Sequence, residues 1–459
     1  MKRRDFLRIS AGIPAFLGAV SCAGQAGRQP NFVVIFVDDM GYGDVGCYGH
    51  PTIRTPNLDR MACEGAKLTQ FYVASSVCTP SRAALLTGRY PIRSGLTHVL
   101  IPTSPGGIQD DEVTIAEILR SAGYATACIG KWHLGCRPEH LPLNHGFDYY
   151  FGIPYSNDMS RETQPGNPLF ENVPPTPLIR NNEVTNKDHE PDQRYLTKQY
   201  TEEAIAFIRQ HAGKRPFFLY LAHTMPHVPI FASEQFQGKS LRGLYGDTVE
   251  ELDWSCGEVR RAIEEAGVDK ETLVVFLSDN GPWLGKKLDG GSSGPFYEGK
   301  VSTWEGGFRV PAIFRWPGRI QSGQTITAFA TSMDLLPTFA ALAGADLPTG
   351  VDLDGHDIGP VLFEGDKGRE PEMYYYFADE LWAVRVGRWK MHLKTTRPAS
   401  VEKWGDWPIE EHDPPLLFDV EQDPGERYNV AADHPEIVAS LQRAMEQHRA
   451  RVKPGLPQR

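Results

Sequence analysis

The sequence predicts an α/β protein, in which a large domain has a mostly parallel central sheet flanked by helices, and a smaller C-terminal α+β domain carries a short antiparallel sheet. Two observations support this prediction. Short apolar runs alternate with amphipathic helical segments through the first part of the chain, the pattern of buried parallel strands connected by helices. After about residue 365 the pattern changes to closely spaced short strands. We therefore expect the domains to span residues 30–365 and 366–459.

Five apolar runs are predicted to be buried strands of the parallel type, and each is short and rich in aliphatic or aromatic residues. They are Phe32–Val37, Tyr124–Ile129, Pro216–Ala222, Leu273–Leu277 and Val310–Phe314. Helical segments alternate with them. A capping-box pattern at Thr114 and Glu117 opens a helix that ends at Gly123. The segments Thr201–His211 and Asp247–Ala266 precede the next two strands.

The C-terminal part contains three predicted antiparallel strands and one final helix. These are Met373–Phe377, Trp382–Val386, Trp389–Leu393 and the helix Pro435–Val452. The segment from Ser160 to Pro191 is rich in proline, asparagine and charge and lacks periodicity. Long irregular loops in compact domains are often functional, so we expect this segment to lie near the binding cleft.

Composition narrows the class of protein. The 459 residues are 41% hydrophobic and 23% charged, which is an ordinary globular balance. The formal net charge of −11 argues against a nucleic-acid partner, because nucleic-acid binding surfaces are basic. An anionic small substrate remains compatible with this charge, since the local field in a cleft can oppose the global one.

Residues 1–29 are predicted to be an export signal. Arg3 and Arg4 precede an apolar run from Ile9 to Val20, which is too short to span a bilayer and resembles a twin-arginine signal. Cys22 loosely resembles a lipoprotein processing site, so a lipid anchor there is left open. No other run approaches the length of a transmembrane helix. We expect an exported protein, periplasmic or on the cell surface.

Polar side chains follow four of the predicted strands. They are Asp38 and Asp39, Lys131 and His133, His223 and His227, and Asp279 and Asn280. In open α/β sheets, ligands bind beyond the carboxyl ends of the strands. The pattern therefore predicts one site at that edge of the sheet.

The segment from Ser76 to Gly88 places Cys78 at the start of a predicted helix, with Arg82 one turn later. Taken alone, this arrangement favours a thiolate of low pKa. The segment matches, position for position, the first signature of the type I sulfatases, a family within the alkaline phosphatase superfamily. Its pattern Cys-x-Pro-x-Arg directs oxidation of the cysteine to formylglycine (3-oxoalanine). The resemblance implies that a formylglycine-generating maturation enzyme converts Cys78.

Four further segments resemble the same family. Gly123–His133 is similar to its second signature and implies that Lys131 and His133 belong to the site. His227 corresponds to the leaving-group histidine, and Lys300 to the lysine that grips sulfate. The run ending at Ser156 resembles the arylsulfatase A branch, in which a serine approaches the sulfate. The resemblance covers Asn31 to Pro337 strongly.

Asp38, Asp39, Asp279 and Asn280 offer the oxygen ligands that a hard cation prefers, calcium above all and magnesium as the alternative. Paired acids after a strand are otherwise common turn formers. The resemblance implies that these residues and residue 78 bind one Ca2+. Related two-metal phosphatases carry histidine where this chain has Asn280, which favours the one-metal arrangement.

The resemblance implies a sulfatase that hydrolyses a sulfate ester, on a sulfated carbohydrate or on aryl sulfate model substrates. Hydrated formylglycine would attack sulfur, Lys131 and Lys300 would stabilise the oxygens, and Arg82 would orient residue 78. His227 would protonate the leaving group, and His133 would deprotonate the second hydroxyl. Two alternatives stay open: a formylglycine-dependent phosphonate monoester or phosphodiester hydrolase, and a non-catalytic protein that binds sulfated glycans.

Two groups of residues receive no firm assignment. Five cysteines remain besides Cys22 and Cys78, an odd number, and their pairing cannot be predicted from sequence. Five residues near the motifs are either sugar subsites or packing residues, namely Trp283, Lys286, Lys287, Tyr297 and Arg309.

Overall fold

The structure is a computed structural model that describes residues 29–401 and 403–459. Apart from Gln29, the predicted export signal lies outside the described residues, and so does Cys22. Within the described ranges, every helix is too short or too polar to cross a bilayer.

The main sheet has ten strands, a two-stranded ribbon lies beside it, and a third sheet of four strands follows near the C-terminus. The strands are β1 Asn31–Val37, β2 Ala66–Leu68, β3 Phe71–Tyr72, β4 Ala125–Gly130, β5 Tyr149–Gly152, β6 Ile179–Arg180, β7 Glu183–Val184, β8 Phe217–Ala222, β9 Thr272–Ser278, β10 Ala312–Arg315, β11 Gln324–Ile326, β12 Ala330–Thr331, β13 Glu372–Phe377, β14 Glu380–Val386, β15 Trp389–Thr396 and β16 Ile409–Asp419. The helices are α1 Pro56–Glu64, α2 Cys78–Thr87, α3 Pro91–Ser94, α4 Ile115–Ser121, α5 Leu196–His211, α6 Leu244–Glu265, α7 Glu305–Phe308, α8 Leu335–Ala343, α9 Gly359–Phe363 and α10 Pro435–Arg451.

The centre of the main sheet is parallel, as predicted. In the order β9, β1, β8, β4 and β5, each neighbouring pair runs parallel. One strand differs from the prediction. The run predicted as the parallel strand Val310–Phe314 forms β10, which pairs antiparallel with both β9 and β2. Its residues Ala312–Arg315 are buried on both faces, so their apolar pattern carries no information about direction.

The central strands are buried on both faces because helices cover both sides of the sheet. Phe32, Val34 and Phe36 of β1 face a core that includes α4 and α8. Val33 and Ile35 face a second core that includes α1, α5 and α6. Each buried aliphatic or aromatic side chain contributes about 1.5–3 kcal/mol of transfer free energy, so these two cores hold the sheet rigid.

The C-terminal sheet is antiparallel throughout, in the order β13, β14, β15 and β16. It packs on the large unit through a shared apolar cluster, in which Tyr72, Phe308 and Phe329 meet Tyr375 and Met391. The prediction of three strands in this region was incomplete because β16 was missed. Within the predicted loop Ser160–Pro191, the hairpin of β6 and β7 was missed as well.

Candidate active site

The polar residues predicted to meet at one edge of the sheet do so. Strands β1, β4, β8 and β9 run parallel, and their carboxyl ends lie side by side. The side chains that follow them are buried at the base of one cavity or directly beneath it: Asp38, Asp39, Lys131, His133, His223, His227, Asp279 and Asn280.

A tight turn after β4 presents Lys131 and His133. Gly130 has φ of 112°, and a Cβ there would lie 1.8 Å from the backbone oxygen of Ala222, so only glycine fits. The Lys131 backbone N–H then donates to that same oxygen at 2.7 Å. His133 itself has φ of 62°, an uncommon left-handed conformation for a histidine. The strained turn is typical of a functional site.

Helix α2 carries Cys78 at its first position and Arg82 one turn later. The Cys78 Sγ lies 3.3 Å from Asp38 Oδ1 and 3.6 Å from Lys300 Nζ. Arg82 is fully buried and donates to Asp279 Oδ2 at 2.8 Å and to the Lys131 carbonyl at 3.1 Å. Arg82 thus connects the helix to two strand ends and fixes the position of residue 78.

A cluster of side chains at the base of the site offers ligand atoms for a divalent cation. Ligand atoms of Asp38, Asp39, Cys78 and His227 lie within 4.8 Å of one another. Asn280 donates from Nδ2 to Asp39 Oδ1 at 2.7 Å, while its buried Oδ1 has no partner among the described residues. A buried acceptor without a donor is costly, so this oxygen fits a cation. The donor set of carboxylate and amide oxygens suits calcium or magnesium.

Asp279 is placed differently from the other predicted ligands. Its Oδ1 accepts the Asp39 backbone N–H at 3.0 Å, and its Oδ2 accepts Arg82. Burial and the charge of Asp38 raise the pKa of Asp279 to about 7, against the lowering effect of Arg82. It lies outside the cluster of four ligand atoms, although it contacts Asp39 directly.

Two buried lysines contact residue 78 or its neighbour Asp38. Lys131 Nζ contacts Asp38 Oδ2 and donates to Ser156 Oγ at 3.1 Å. Lys300 Nζ donates to Asp39 Oδ2 at 2.7 Å. All three side chains are buried, and the sequence had assigned all three to the sulfate. An anion that reaches the base of the cavity therefore meets two desolvated ammonium groups and a hydroxyl.

The three histidines divide into two classes. His227 directs Nδ1 to the Val228 carbonyl at 2.6 Å, which leaves Nε2 toward Asp39, 3.6 Å away. His133 contacts the Leu100 carbonyl through Nε2 at 2.9 Å and also lines the cavity, with its buried Nδ1 lacking a partner among the described residues. His223 contacts Ser255 and lies outside the cavity lining.

Burial and charge set the protonation of these groups. Burial opposes ionisation of Asp38, but Lys131 and Arg82 hold its pKa well below the usual value. Burial and the charge of Asp38 raise the pKa of the Cys78 thiol well above its ordinary value. The prediction of a thiolate of low pKa at the start of the helix is therefore wrong, because desolvation and the charge of Asp38 outweigh the helix dipole. An unmodified Cys78 is a neutral, weak nucleophile.

The cavity above this base has a volume of about 890 Å³. One wall is apolar and includes Ile101, Met159, Phe170 and Phe231. A polar strip from the irregular segment after β5 lies beside it, formed by Ser156, Asp158, Thr163, Gln164 and Asn167. The expectation that the loop from Ser160 onward borders the cleft is confirmed.

The cavity lining also contains Trp283, Lys286 and Trp404, and the Trp404 side chain is 43% exposed. Lys287, Tyr297 and Arg309, three of the predicted sugar-subsite residues, lie outside this lining. Asp158 and Trp404 also line the cavity, and neither was predicted from the sequence. Both stand in irregular segments, and no signal in the sequence distinguishes them from ordinary loop residues.

The pairing of the cysteines, which the sequence left open, can be described within residues 29–401 and 403–459. All six cysteines there are unpaired, namely Cys47, Cys63, Cys78, Cys128, Cys136 and Cys256. The fold of the described residues therefore depends on packing and hydrogen bonds instead of covalent cross-links.

Comparison with known proteins gives a consistent result. The family model "Sulfatase" matches residues 30–345, and the model "C-terminal region of aryl-sulfatase" matches residues 368–459. Arylsulfatase A of Homo sapiens is 43% identical, over 94% of this chain and 90% of that protein. N-acetylgalactosamine-6-sulfatase of Rattus norvegicus is 40% identical, over 95% of this chain and 88% of that protein.

A solved structure agrees with the sequence comparisons. The PsFucS1 sulfatase from Pseudoalteromonas sp. superposes with a TM-score of 0.85 at 30% identity, over 92% of this chain and 90% of that chain. The matches cover both sheets and all the strand ends described above. The chain belongs to the sulfatase family, and it is a sulfuric ester hydrolase.

Proposed function

We propose that this enzyme hydrolyses sulfate esters of carbohydrates through a formylglycine formed from Cys78, with one calcium ion bound beside it. The observation that carries the proposal is a pair of buried ammonium groups at the base of the site. Lys300 contacts residue 78, and Lys131 contacts Asp38 and Ser156 beside it. The relatives named above include an N-acetylgalactosamine-6-sulfatase, whose name denotes a sulfated sugar as its substrate.

Asp38, Asp39, Asp279 and Asn280 would hold the cation, together with residue 78. The unpartnered Asn280 Oδ1 and the close carboxylates support this ligand set. When bound, such a cation polarises sulfate oxygens and lowers the pKa of a coordinated hydroxyl. His227 Nε2 lies near Asp39, so His227 borders the metal position without belonging to the predicted ligands.

The aldehyde of formylglycine supplies, once hydrated, two hydroxyls on one carbon, so that one can attack sulfur and the other can release the product. The chain's own groups then divide the remaining work. Lys131, Ser156 and Lys300 would bind the sulfate oxygens, since Ser156 and Lys300 line the cavity and Lys131 donates to the Ser156 hydroxyl. Arg82 holds residue 78 in place through its bond to Asp279.

Two histidines handle protons. His227 holds its Nδ1 on the Val228 carbonyl, and its Nε2 is therefore the nitrogen available to protonate a departing alcohol. Burial and the charge of Lys300 lower the pKa of His227 well below the usual value. The negative charge of a bound sulfate ester would offset the charge of Lys300 and raise the pKa of His227, so that the imidazole is protonated when the substrate is bound. His133 would accept a proton from residue 78, and its position in the cavity lining supports this role.

The setting of the enzyme follows from the same proposal. Residues 1–29 would direct export by a twin-arginine route to the periplasm or cell surface, with a lipid anchor at Cys22 as an open variant. That route carries folded protein, whereas formylglycine is made on unfolded chain. The maturation enzyme would therefore act on Cys78 in the cytoplasm. The catalytic unit would comprise residues 30–365, and residues 366–459 would form the smaller domain.

The test is mass spectrometry of the tryptic peptide that carries Cys78, on protein co-expressed with the maturation enzyme, combined with sulfate release from nitrophenyl sulfate. We expect an aldehyde at residue 78 and multiple turnovers. The Cys78→Ser variant should fold and bind metal but lose turnover by several orders of magnitude, because serine offers no second hydroxyl on the reacting carbon. Near-normal turnover by that variant would refute the formylglycine mechanism.

Initial rates on matched sulfate, phosphate and phosphonate esters separate the proposal from its rivals. We expect the sulfate ester to be preferred. A preference for the phosphonate or phosphodiester would make the enzyme a hydrolase of that class. Glycan binding without sulfate release, in protein verified to carry the aldehyde, would indicate a binding protein.

A further inference from the structure

One carboxylate in the cavity has no task in the reaction described above. Asp158 lines the cavity beside Ser156, two residues from the hydroxyl that Lys131 contacts. Its Oδ2 accepts one long hydrogen bond, from Gln164 Nε2 at 3.3 Å. Its Oδ1 is buried and has no partner among the described residues. Hydrogen bonding from the Ser156 hydroxyl and from its own backbone N–H also lowers the pKa of this carboxyl. A carboxylate can accept about four hydrogen bonds, so Oδ1 keeps room for a donor from a ligand.

The orientation of this carboxylate is fixed by two amides. Asn167 Nδ2 donates to Gln164 Oε1 at 2.7 Å, and Gln164 Nε2 then donates to Asp158. All three side chains line the cavity. Such a relay holds the acceptor in place before a ligand arrives, which reduces the ordering cost of binding.

The position of Asp158 is electrostatically unfavourable for a site that binds only an anion. Three buried carboxylates at the base, Asp38, Asp39 and Asp279, already face three buried cations. Charge balance therefore does not require a further acid. Burial raises the pKa of Asp158, whereas Lys131 and Lys300 lower it. A carboxylate so near the sulfate position repels the substrate unless another part of the substrate donates to it.

We propose that Asp158 accepts a hydrogen bond from a hydroxyl of the sugar that carries the sulfate ester, and that it thereby selects saccharide sulfates over aryl and simple alkyl sulfates. This inference rests on the proposed function. A site built to bind a hydroxyl discriminates strongly against an analogue that lacks it, because its buried polar group is then left unpaired. The hydroxyl in question lies on the leaving group, near the ester.

The test compares two ester substrates of equal leaving-group chemistry. The first is whichever galactose or N-acetylgalactosamine monosulfate the wild-type enzyme cleaves fastest. The second is the tetrahydropyran sulfate with the ester at the same ring position and no hydroxyls. Nitrophenyl sulfate is run in parallel to report sulfatase chemistry alone. The enzymes are wild type, Asp158→Asn and the control Asp289→Asn, which changes an exposed carboxylate at the rim of the same cavity.

We expect wild type to favour the sugar sulfate over its hydroxyl-free counterpart by about 10- to 100-fold in kcat/KM, the worth of one hydrogen bond to a charged group. Asp158→Asn should lose most of that preference, and Asp289→Asn should keep it. If Asp158→Asn does not fold, Asp158→Ser removes the same charge. Equal losses on both substrates, or no preference in wild type, would overturn the inference while turnover of nitrophenyl sulfate sustains the proposed function. Absence of all sulfate release, on protein that carries the aldehyde, would overturn both.

Discussion

The charged cluster between the two sheets offers the sharpest test of how the fold supports the site. Lys390 on β15 is fully buried, and its Nζ lies 3.0 Å from Glu305 Oε1 and 3.1 Å from Glu426 Oε1. The Glu305 backbone N–H donates to Glu426 Oε2 at 2.7 Å. Glu305 begins α7, five residues after Lys300 in the sequence. The cluster therefore anchors the turn that carries Lys300.

We predict that Lys390→Met lowers the free energy of unfolding by about 3 kcal/mol at neutral pH. Two arguments give this magnitude. Burial opposes ionisation of Glu305, but Lys390 and Arg385 hold its pKa at about 2. Against an ordinary value of about 4.3, that pKa corresponds to about 3 kcal/mol. Independently, removal of one partner of a buried ion pair typically costs about 3–5 kcal/mol.

The pKa shift of Glu305 also determines how the stability contributed by its ion pairs depends on pH. Because the pKa of Glu305 is lowered by folding, its ion pairs stabilise the wild type above about pH 4.5. In wild type this contribution is lost only as the pH falls toward about 2. In Lys390→Met, Glu305 and Glu426 lie close together without the cation between them, so the pKa of Glu305 should rise. Protonation then removes the repulsion between the carboxylates of the variant, and a positive charge gained by His392 beside Glu426 adds to this effect. The stability deficit of Lys390→Met relative to wild type should therefore shrink as the pH is lowered.

The assay is a thermal melt of wild type and variants from neutral pH down to about pH 4.5. At roughly 2 °C per kcal/mol for a large domain, the midpoint should fall by about 6 °C at neutral pH. Lys394→Met is the matched control, since Lys394 is on the same strand and also contacts two carboxylates, but Lys394 is half-buried and both carboxylates are solvent-exposed. It should change stability by less than about 1 kcal/mol. A deficit in Lys390→Met that is equally small, or that does not vary with pH, would refute the reasoning.

Other predictions concern the cavity and the metal. His227→Ala should slow alkyl sulfates by about 100-fold or more and nitrophenyl sulfate far less, because only poor leaving groups need a proton; equal losses would place the acid elsewhere. Chelation should abolish sulfate release with only a small change in melting temperature, and calcium should restore it; activity that survives exhaustive chelation would contradict the metal site. Trp404→Ala should raise KM for sulfated oligosaccharides more than for nitrophenyl sulfate, since the exposed ring lines the outer cavity. Added reductant should leave the melting temperature unchanged, because the six described cysteines are unpaired.

The base of the site could be predicted from the sequence because parallel topology and short motifs determine it together. Once β1, β4, β8 and β9 are assigned as parallel strands, the residues at their carboxyl ends must converge. The structure confirms this for Asp38, Lys131, His227 and Asp279. What each residue contacts could not be predicted in the same way. The separation of Asp279 from the other carboxylates, for example, depends on how Arg82 packs beneath it.

The missed elements share a physical cause, which is that their local sequence carries no periodic signal. Strand β16 begins with charged residues and contains Pro414 and Pro415, which is tolerated because it is the last strand of its sheet. The direction of β10 could not be predicted, because a strand that is buried on both faces has the same apolar pattern whether it pairs parallel or antiparallel. Asp158 and Trp404 reach the cavity from irregular segments, where only the tertiary fold decides which side chains face inward.

The formal charges at the base of the cavity explain why this fold would need a cation for an anionic substrate. Asp38, Asp39 and Asp279 carry three negative charges, and Arg82, Lys131 and Lys300 carry three positive ones, all desolvated. The balanced set is stable in itself, because each buried charge has a partner of opposite sign. It offers a sulfate no net attraction. A divalent ion held by the same carboxylates would make the base positive by two charges. The chain would thus supply geometry and neutrality, and the cation would supply the excess charge that draws a sulfate ester to residue 78.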